Sequence, residues 1–312
     1  MKKVLLSILS SILFSTILLA SGDADSLTKA LAAQVKFYDS VETAMKYETG
    51  SITLTTANVK LNVPKGFKYL NGTQASYILS SVWGNPPQTG ILGMILPEKS
   101  SVIETDSYAF IITYEAMGFV KDDDADKINY DDMLKQMQEE EVEENKTRVA
   151  QGYPAIHMVG WASKPFYDKT NKVLHWAKNL KFGDADENTL NYEVRILGRK
   201  GVLSMNAVST MKYIDTVKKD IDKVLAIPSF TEGSMYKDFD SKTDEVAAWT
   251  IGGLVAGKVL LKVGILATIG KFLAASWKFI LIGIVALWGG IKKLFGRKKV
   301  EEDDTYTTNT KA

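Results

Sequence analysis

The chain has 312 residues, and its 38 basic and 37 acidic side chains nearly cancel, which gives no electrostatic reason to expect a nucleic-acid partner. It contains no cysteine, so a disulfide framework, thiol catalysis and thiolate metal sites are all excluded. Two histidines, His157 and His175, are the whole imidazole inventory.

Met1, Lys2 and Lys3 precede a mostly apolar run over 4–20, then Ser21, Gly22 and Asp23. A basic start, an apolar centre and small residues at the break predict a secretory signal peptide over 1–22. With no cysteine after the apolar run, a lipoprotein anchor is excluded. Residues 23–228 then read as an exported α+β domain, enough chain for one large domain or two small ones.

Leu27, Leu31, Val35, Tyr38, Val41 and Met45 recur at three- and four-residue spacing and predict a helix over 24–48. Ile52, Leu54, Val59, Leu61 and Val63 alternate around 55–58 and predict a hairpin with Ile52 opposite Leu61 and Leu54 opposite Val59. A short helix over 73–83 runs into the breaker Trp83-Gly84-Asn85-Pro86-Pro87. Strands follow at 91–96 and 108–114, the second with Tyr108, Phe110, Ile112 and Tyr114 on one face.

Asn129, with Asp132 three residues on, predicts a capped helix start. The helix over 129–150 has a thin apolar stripe of Tyr130, Met133, Leu134 and Met137, and is expected to cover a sheet edge. Two more hairpins are predicted: 155–161 with 173–182 around a turn at 168–171, and 190–197 with 202–208 around Gly198-Arg199-Lys200-Gly201. The second pairs Ile196 with Leu203, Val194 with Met205 and Tyr192 with Ala207. Glu193, Arg195, Ser204 and Asn206 fall on the other face, expected to be wet or covered by polar helices, so Arg195 is expected to tolerate substitution. A helix over 213–226 ends before Pro228, and 229–245 reads as a polar connector.

The block 246–295, VAAWTIGGLVAGKVLLKVGILATIGKFLAASWKFILIGIVALWGGIKKLF, exceeds the length of about 20 apolar residues needed to cross a bilayer. Lys258 and Lys262 share one helix face, as do Lys271 and Lys278, but the two pairs point opposite ways on one straight helix. The block is therefore read as an amphipathic or tightly packed helix over about 247–263 and a span within about 265–291. Lys271 and Lys278 are read as snorkelling anchor residues. Lys292, Lys293, Arg297, Lys298 and Lys299 follow the span, which places the tail inside and the domain outside. Residues 296–312 read as a basic, then disordered, tail.

Catalytic patterns are sparse. In the predicted register Tyr167 faces Lys172, which holds His157 and His175 seven positions apart and on opposite faces, too far to share a metal. Asp122, Asp124 and Asp126 invite a calcium loop, but Lys127 and Met133 stand where such a loop needs Gly and Glu. The acidic run over 139–144 reads as a solvated helix face. The Gly198-to-Gly201 turn is an anion-binding candidate whose glycines the turn itself explains. No phosphate loop, HExxH pair or GxSxG elbow is present, so no enzyme, cofactor or metal is expected.

The stretches VWGNPPQTGILGMILP, SYAFIITYEAMGFVKDDDADKINYDDMLKQMQ, GYPAIHMVGWASKPFYDKTNKVLHWAKNLKFG and TLNYEVRILGRKGVLSMNAV resemble a family of bacterial membrane-anchored proteins catalogued as domain of unknown function 2167. The resemblance covers nearly the whole exported domain and the anchor, implies a bacterial envelope protein, and brings no active site. VKLNVPKGFKYL, the late strands and the closing helix resemble the Mog1/PsbP-like α-β-α sandwich. The sequence thus leads to an α+β domain with an antiparallel sheet, tethered outside the inner membrane by one C-terminal transmembrane helix. Its expected role is a non-catalytic binding or scaffolding module, with the lipid bilayer and an envelope protein as partners. The alternative is a membrane-acting protein whose Lys-bearing helices assemble into a pore.

Overall fold

The computed structural model describes residues 24–104 and 106–258. They lie in the first of two units, Met1–Leu260 and Leu261–Ala312. The expected signal peptide, the expected span and the expected anchor residues Lys271, Lys278, Lys292, Lys293, Arg297, Lys298 and Lys299 fall outside the described residues. Among the described residues no helix is long and apolar enough to cross a membrane.

The chain runs α1 (Ala24–Ala44), β1 (Gly50–Leu54), β2 (Val59–Val63), β3 (Phe67–Asn71), α2 (Gly72–Tyr77), β4 (Ile91–Pro97), β5 (Ala109–Glu115) and β6 (Phe119–Lys121). It continues α3 (Tyr130–Ala150), β7 (Ile156–Asp168), β8 (Val173–Phe182), β9 (Thr189–Leu197), β10 (Val202–Thr210) and α4 (Ile214–Leu225). Last come β11 (Pro228–Phe230), β12 (Val246–Thr250) and α5 (Ile251–Ala256). Seven strands form one antiparallel sheet in the order β3-β4-β5-β10-β9-β8-β7. β1, β2 and β11 form a second sheet, and β12 pairs in parallel with β6. This is a mixed α+β fold.

Two hairpins have the predicted register, with Ile52↔Leu61, Leu54↔Val59, Ile196↔Leu203, Val194↔Met205 and Tyr192↔Ala207. Strand periodicity therefore sends Val194, Leu203 and Met205 to the same face as Phe110 and Ile112. There they pack with Leu54, Val59 and Leu61 of the second sheet and with Val217, Ile221 and Val224 of α4. β5 is apolar on both faces, because Ala109 and Ile111 pack on the other side with Tyr38 and Val41 of α1 and Ile78 and Leu79 after α2. The stripe expected of α1 is used only in part: Tyr38 and Val41 are buried, whereas Leu31 and Val35 are exposed.

A third apolar cluster joins Val120, Met133, Leu174, Trp176, Leu197 and Val202 to Ile251, Leu254 and Val255. Residues from about 247 were expected to open an amphipathic or tightly packed helix, and 246–256 differ. They make a strand and one short helix whose apolar side chains are 0–1% exposed at Ile251, Leu254 and Val255. Hydropathy cannot tell a buried core segment from a membrane segment when the two are contiguous. Gly257, at φ 74°, ends α5 in the left-handed region that glycine adopts without penalty. Lys258 follows and pairs with Glu140 of α3.

The stretch 229–245 also differs from a free connector. β11 pairs with β2, and Arg199 holds Asp244 through Nε–Oδ2 at 2.7 Å and Nη2–Oδ1 at 3.0 Å. That bidentate pair ties the end of the segment to the turn between β9 and β10. The glycines flanking Arg199 serve close approach. A Cβ on Gly201 would lie 2.2 Å from the Glu115 carbonyl oxygen, and one on Gly198 would lie 2.6 Å from the Phe230 ring.

α3 covers the β7 edge of the main sheet, as its thin stripe predicts, and does so partly with side-chain hydrogen bonds. Asn145 accepts from the Ile156 amide and donates to its carbonyl, both at 2.8 Å. Glu141 accepts from the Met158 amide at 2.7 Å, and Gln138 donates to the Met158 carbonyl at 2.8 Å. An exposed edge is a template for unwanted pairing, and these side chains occupy it.

Candidate functional site

β7 shifts register between Met158 and Gly160, between Trp161 and Ser163, and between Ser163 and Phe166. Each shift bends a strand. Over the floor of β8 and β9, the bent β7 and the C-terminal half of α4 with Pro228 wall an open cleft of about 730 Å³. Val173, Tyr192 and Ile196 supply apolar floor, while Lys164, His175 and Asp222 supply polar groups. Phe166, 63% exposed, stands in it beside His175, with ring centroids 6.4 Å apart.

Burial pushes the His175 imidazolium down from its ordinary value, against the pull of Asp168 and Asp222. The ring is therefore neutral at pH 7 and offers one donor and one acceptor. Asp168 is committed elsewhere: its Oδ1 accepts from the amides of Thr170 and Asn171, and its Oδ2 accepts from Asn171 Nδ2 at 2.7 Å. Those bonds hold its carboxyl below the usual range, led by the Asn171 amide. Lys164 is engaged with Asp131 of α3 at 2.8 Å. Burial, aided by Asp222, pushes the Tyr192 phenol up, so it stays a neutral hydrogen-bonding group. The cleft is thus a surface of neutral polar and aromatic groups with a charged rim, a composition suited to binding.

The hairpin of β7 and β8 corrects the expected register. Tyr167 pairs with Leu174, His175 with Phe166 and His157 with Lys181. The ladder positions of the two histidines are thus six apart along β8, about 20 Å at strand rise, and an even offset does not put them on opposite faces. Distance alone separates them. His157 lies at the covered edge, 3.2 Å from Glu141.

The acidic residues ahead of α3 have structural partners. Asp122 accepts from Tyr167, Lys172 and Tyr236. Asp124 accepts from the Ile251 and Gly252 amides, both at 3.1 Å, and so caps α5. Asp126 pairs with Lys169. Within the acidic run of α3, Glu141 is a β7-edge ligand and 19% exposed, so that run is only in part a solvated face. Sequence reasoning missed Tyr192, Asp222 and Phe166 as cleft residues; Phe166 beside Pro165, ahead of a 168–171 turn, was the one local signal.

Fold and cleft define an α+β domain with an open depression between its main sheet and a helix. The chain belongs to the family described as Protein of unknown function (DUF2167), which matches residues 46–288. No curated protein matches the chain. Among solved structures, the solution structure of cyanobacterial PsbP (CyanoP) from Synechocystis sp. PCC 6803 is similar at 12% identity and TM-score 0.33, covering 60% of this chain and 94% of that one. A point mutant of protein Mog1 is similar at 9% identity and TM-score 0.28, covering 60% and 96%. The Ran-binding protein Mog1p of Saccharomyces cerevisiae is similar at 11% identity and TM-score 0.28, also covering 60% and 96%. At these scores the likenesses carry no argument about function.

Proposed function

We propose that the chain is a non-catalytic binding or scaffolding module of the bacterial envelope, held outside the cytoplasmic membrane by a span within about 265–291. The observation that carries the binding role is the cleft over β8 and β9, with Phe166 standing exposed above a floor of Val173, Tyr192 and Ile196. Such a side chain over an apolar floor, ringed by polar groups, is the ordinary form of an anchoring site. The mounting rests on sequence: the export signal, the apolar block and the basic residues Lys292, Lys293, Arg297, Lys298 and Lys299. The family match supports treating domain and block as one module, since it continues to residue 288. The folded domain runs to Lys258, which leaves a short connection before the proposed span. Helices on one face of the main sheet, with a small sheet and α4 on the other, support reading the fold as a sandwich of the Mog1/PsbP type.

Photo-crosslinking in native membranes tests the cleft. A photoreactive residue at position 166 is expected to give a discrete adduct with an envelope component. The same residue at position 142, exposed on α3, is expected to give none. Adducts of equal yield at both positions, or none at 166, refute the cleft as the binding surface.

A further inference from the structure

The face of the main sheet opposite the cleft holds a polar patch. On β10, Val202 belongs to the apolar cluster with α3 and α5, while Val208 packs against the cluster with α1. Ser204 and Asn206 lie between them on the same face, opposite Arg195 and Glu193 of β9. On β8, Trp176 stands opposite Glu193, and Lys178 opposite Asn191. This is the face expected to be wet or covered by polar helices, and Glu193 and Arg195 are only 13% and 14% exposed, and Ser204 is 4% exposed.

The patch is incompletely paired. Arg195 donates from Nε to Glu193 at 3.3 Å, and its Nη2 lies 3.8 Å from Glu115, a carboxylate 43% exposed. Its guanidinium lies over the Trp176 ring at 5.5 Å. Arg195 Nη1 and Asn206 Oδ1 are buried without a hydrogen-bond partner among the described residues, and the buried Ser204 hydroxyl has only the Glu193 carboxyl facing it, beyond good hydrogen-bond geometry. Asn206 Nδ2 donates to Asn191 Oδ1 at 3.0 Å, and reversing both amides only changes which Asn206 atom is left alone. Among the described residues Lys178 makes no ion pair. Arg195 and Lys178 therefore share the buried Glu193 carboxylate, with Glu115 approaching Arg195 from the rim and Glu144 of α3 acting on Lys178.

Buried polar groups in native proteins are almost always satisfied, and under-satisfied ones on adjacent strands, beside the Arg195 guanidinium and the Lys178 ammonium, mark a ligand site. We propose that this patch binds a small carboxylate, held by Arg195 Nη1 and the Ser204 hydroxyl. Lys178 supplies the second positive charge, and the Asn206 amide reads a polar group next to the carboxylate. A planar guanidinium with a free N–H and a neighbouring hydroxyl suits the two oxygens of a carboxylate. Burial pushes the Glu193 carboxyl up, which weakens its repulsion of an arriving anion, and pushes the Lys178 ammonium down, a shift that a bound anion would oppose. The patch is independent of the cleft, which uses the other face of the sheet.

The test uses the full chain in detergent, titrated with sodium malonate or inorganic phosphate at constant ionic strength set with sodium chloride, with thermal midpoint as the readout. Malonate is expected to raise the midpoint saturably. Half-saturation is expected to rise about tenfold in Arg195→Gln, the effect of losing one hydrogen bond to a charged group, and clearly in Ser204→Ala and Lys178→Gln. If Arg195→Gln does not fold, the other two variants decide the matter. An adventitious ion only, seen as half-saturation unchanged in Ser204→Ala and Lys178→Gln, overturns the proposal. So does a saturable rise with phosphate alone, or no saturable rise at all.

Discussion

Leu254→Ala tests whether residues 246–256 belong to the domain core. Leu254 is 0% exposed, in one cluster with Val120, Met133, Leu174 and Trp176. The substitution removes three carbons from that cluster, about 2.4 kcal/mol of transfer free energy at about 0.8 kcal/mol per carbon. Neighbouring Gly252 and Gly253 have no side chains with which to refill the space. A cavity contribution therefore adds to the transfer loss, and the total should fall near 3 kcal/mol, inside the range of about 2–5 kcal/mol for buried leucines. Urea denaturation of the full chain in detergent, followed by tryptophan fluorescence, is a direct assay, because Trp176 sits in the same cluster. The midpoint should drop by about 1 M or more for a urea slope of about 2–3 kcal/mol/M. Val246→Ala, at a position 47% exposed, should move it little. A Leu254→Ala stability within about 0.5 kcal/mol of wild type would refute the packing, because a lost core leucine cannot cost so little.

Asp122→Asn should destabilise the domain by about 2 kcal/mol at neutral pH, since its carboxylate accepts from Tyr167, Lys172 and Tyr236. Burial raises the Asp122 pKa, but those donors outweigh it and hold the carboxyl below its ordinary 3.8. A depressed folded value means the stabilisation is complete above the unfolded pKa and is lost as pH falls through the folded one. Melting curves of wild type and variant should thus differ above pH 5 and converge as pH drops below 3.8. Asn145→Ala should cost about 2 kcal/mol, because both bonds to Ile156 at the β7 edge are lost. Amide exchange at Ile156 should quicken in step, and an unchanged rate would show the edge is guarded by other means.

The registers of the β1–β2 and β9–β10 hairpins were legible because each depends on apolar residues a few positions apart. Val194 and Ile196 alternate on β9 as Leu203 and Met205 do on β10, and a short turn leaves one way to match them. The capped start of α3 was legible for the same local reason, with the Asn129 side chain accepting from the amides of Asp131 and Asp132. What failed was long-range. Arg195 read as an outward residue because nothing near it in sequence announces that apolar clusters flank its face. Substituting Arg195 is now expected to be severe, since it removes the one cation hydrogen-bonded to the buried Glu193. Asp124 read as part of an acidic loop, and its role as the cap of α5 joins residues more than a hundred positions apart. The β7 bulges defeated the histidine register, since each shifts the ladder without a sequence mark beyond Gly160 and Pro165.

The central claim, a binding domain mounted outside the cytoplasmic membrane, is tested most directly by a reporter that is active only outside the cytoplasm. Fused after Lys258, where the described domain ends, it leaves that domain whole; fused after Lys299, it follows the basic residues behind the proposed span. The account predicts activity at the first position and silence at the second. Activity at both, or silence after Lys258, would contradict it.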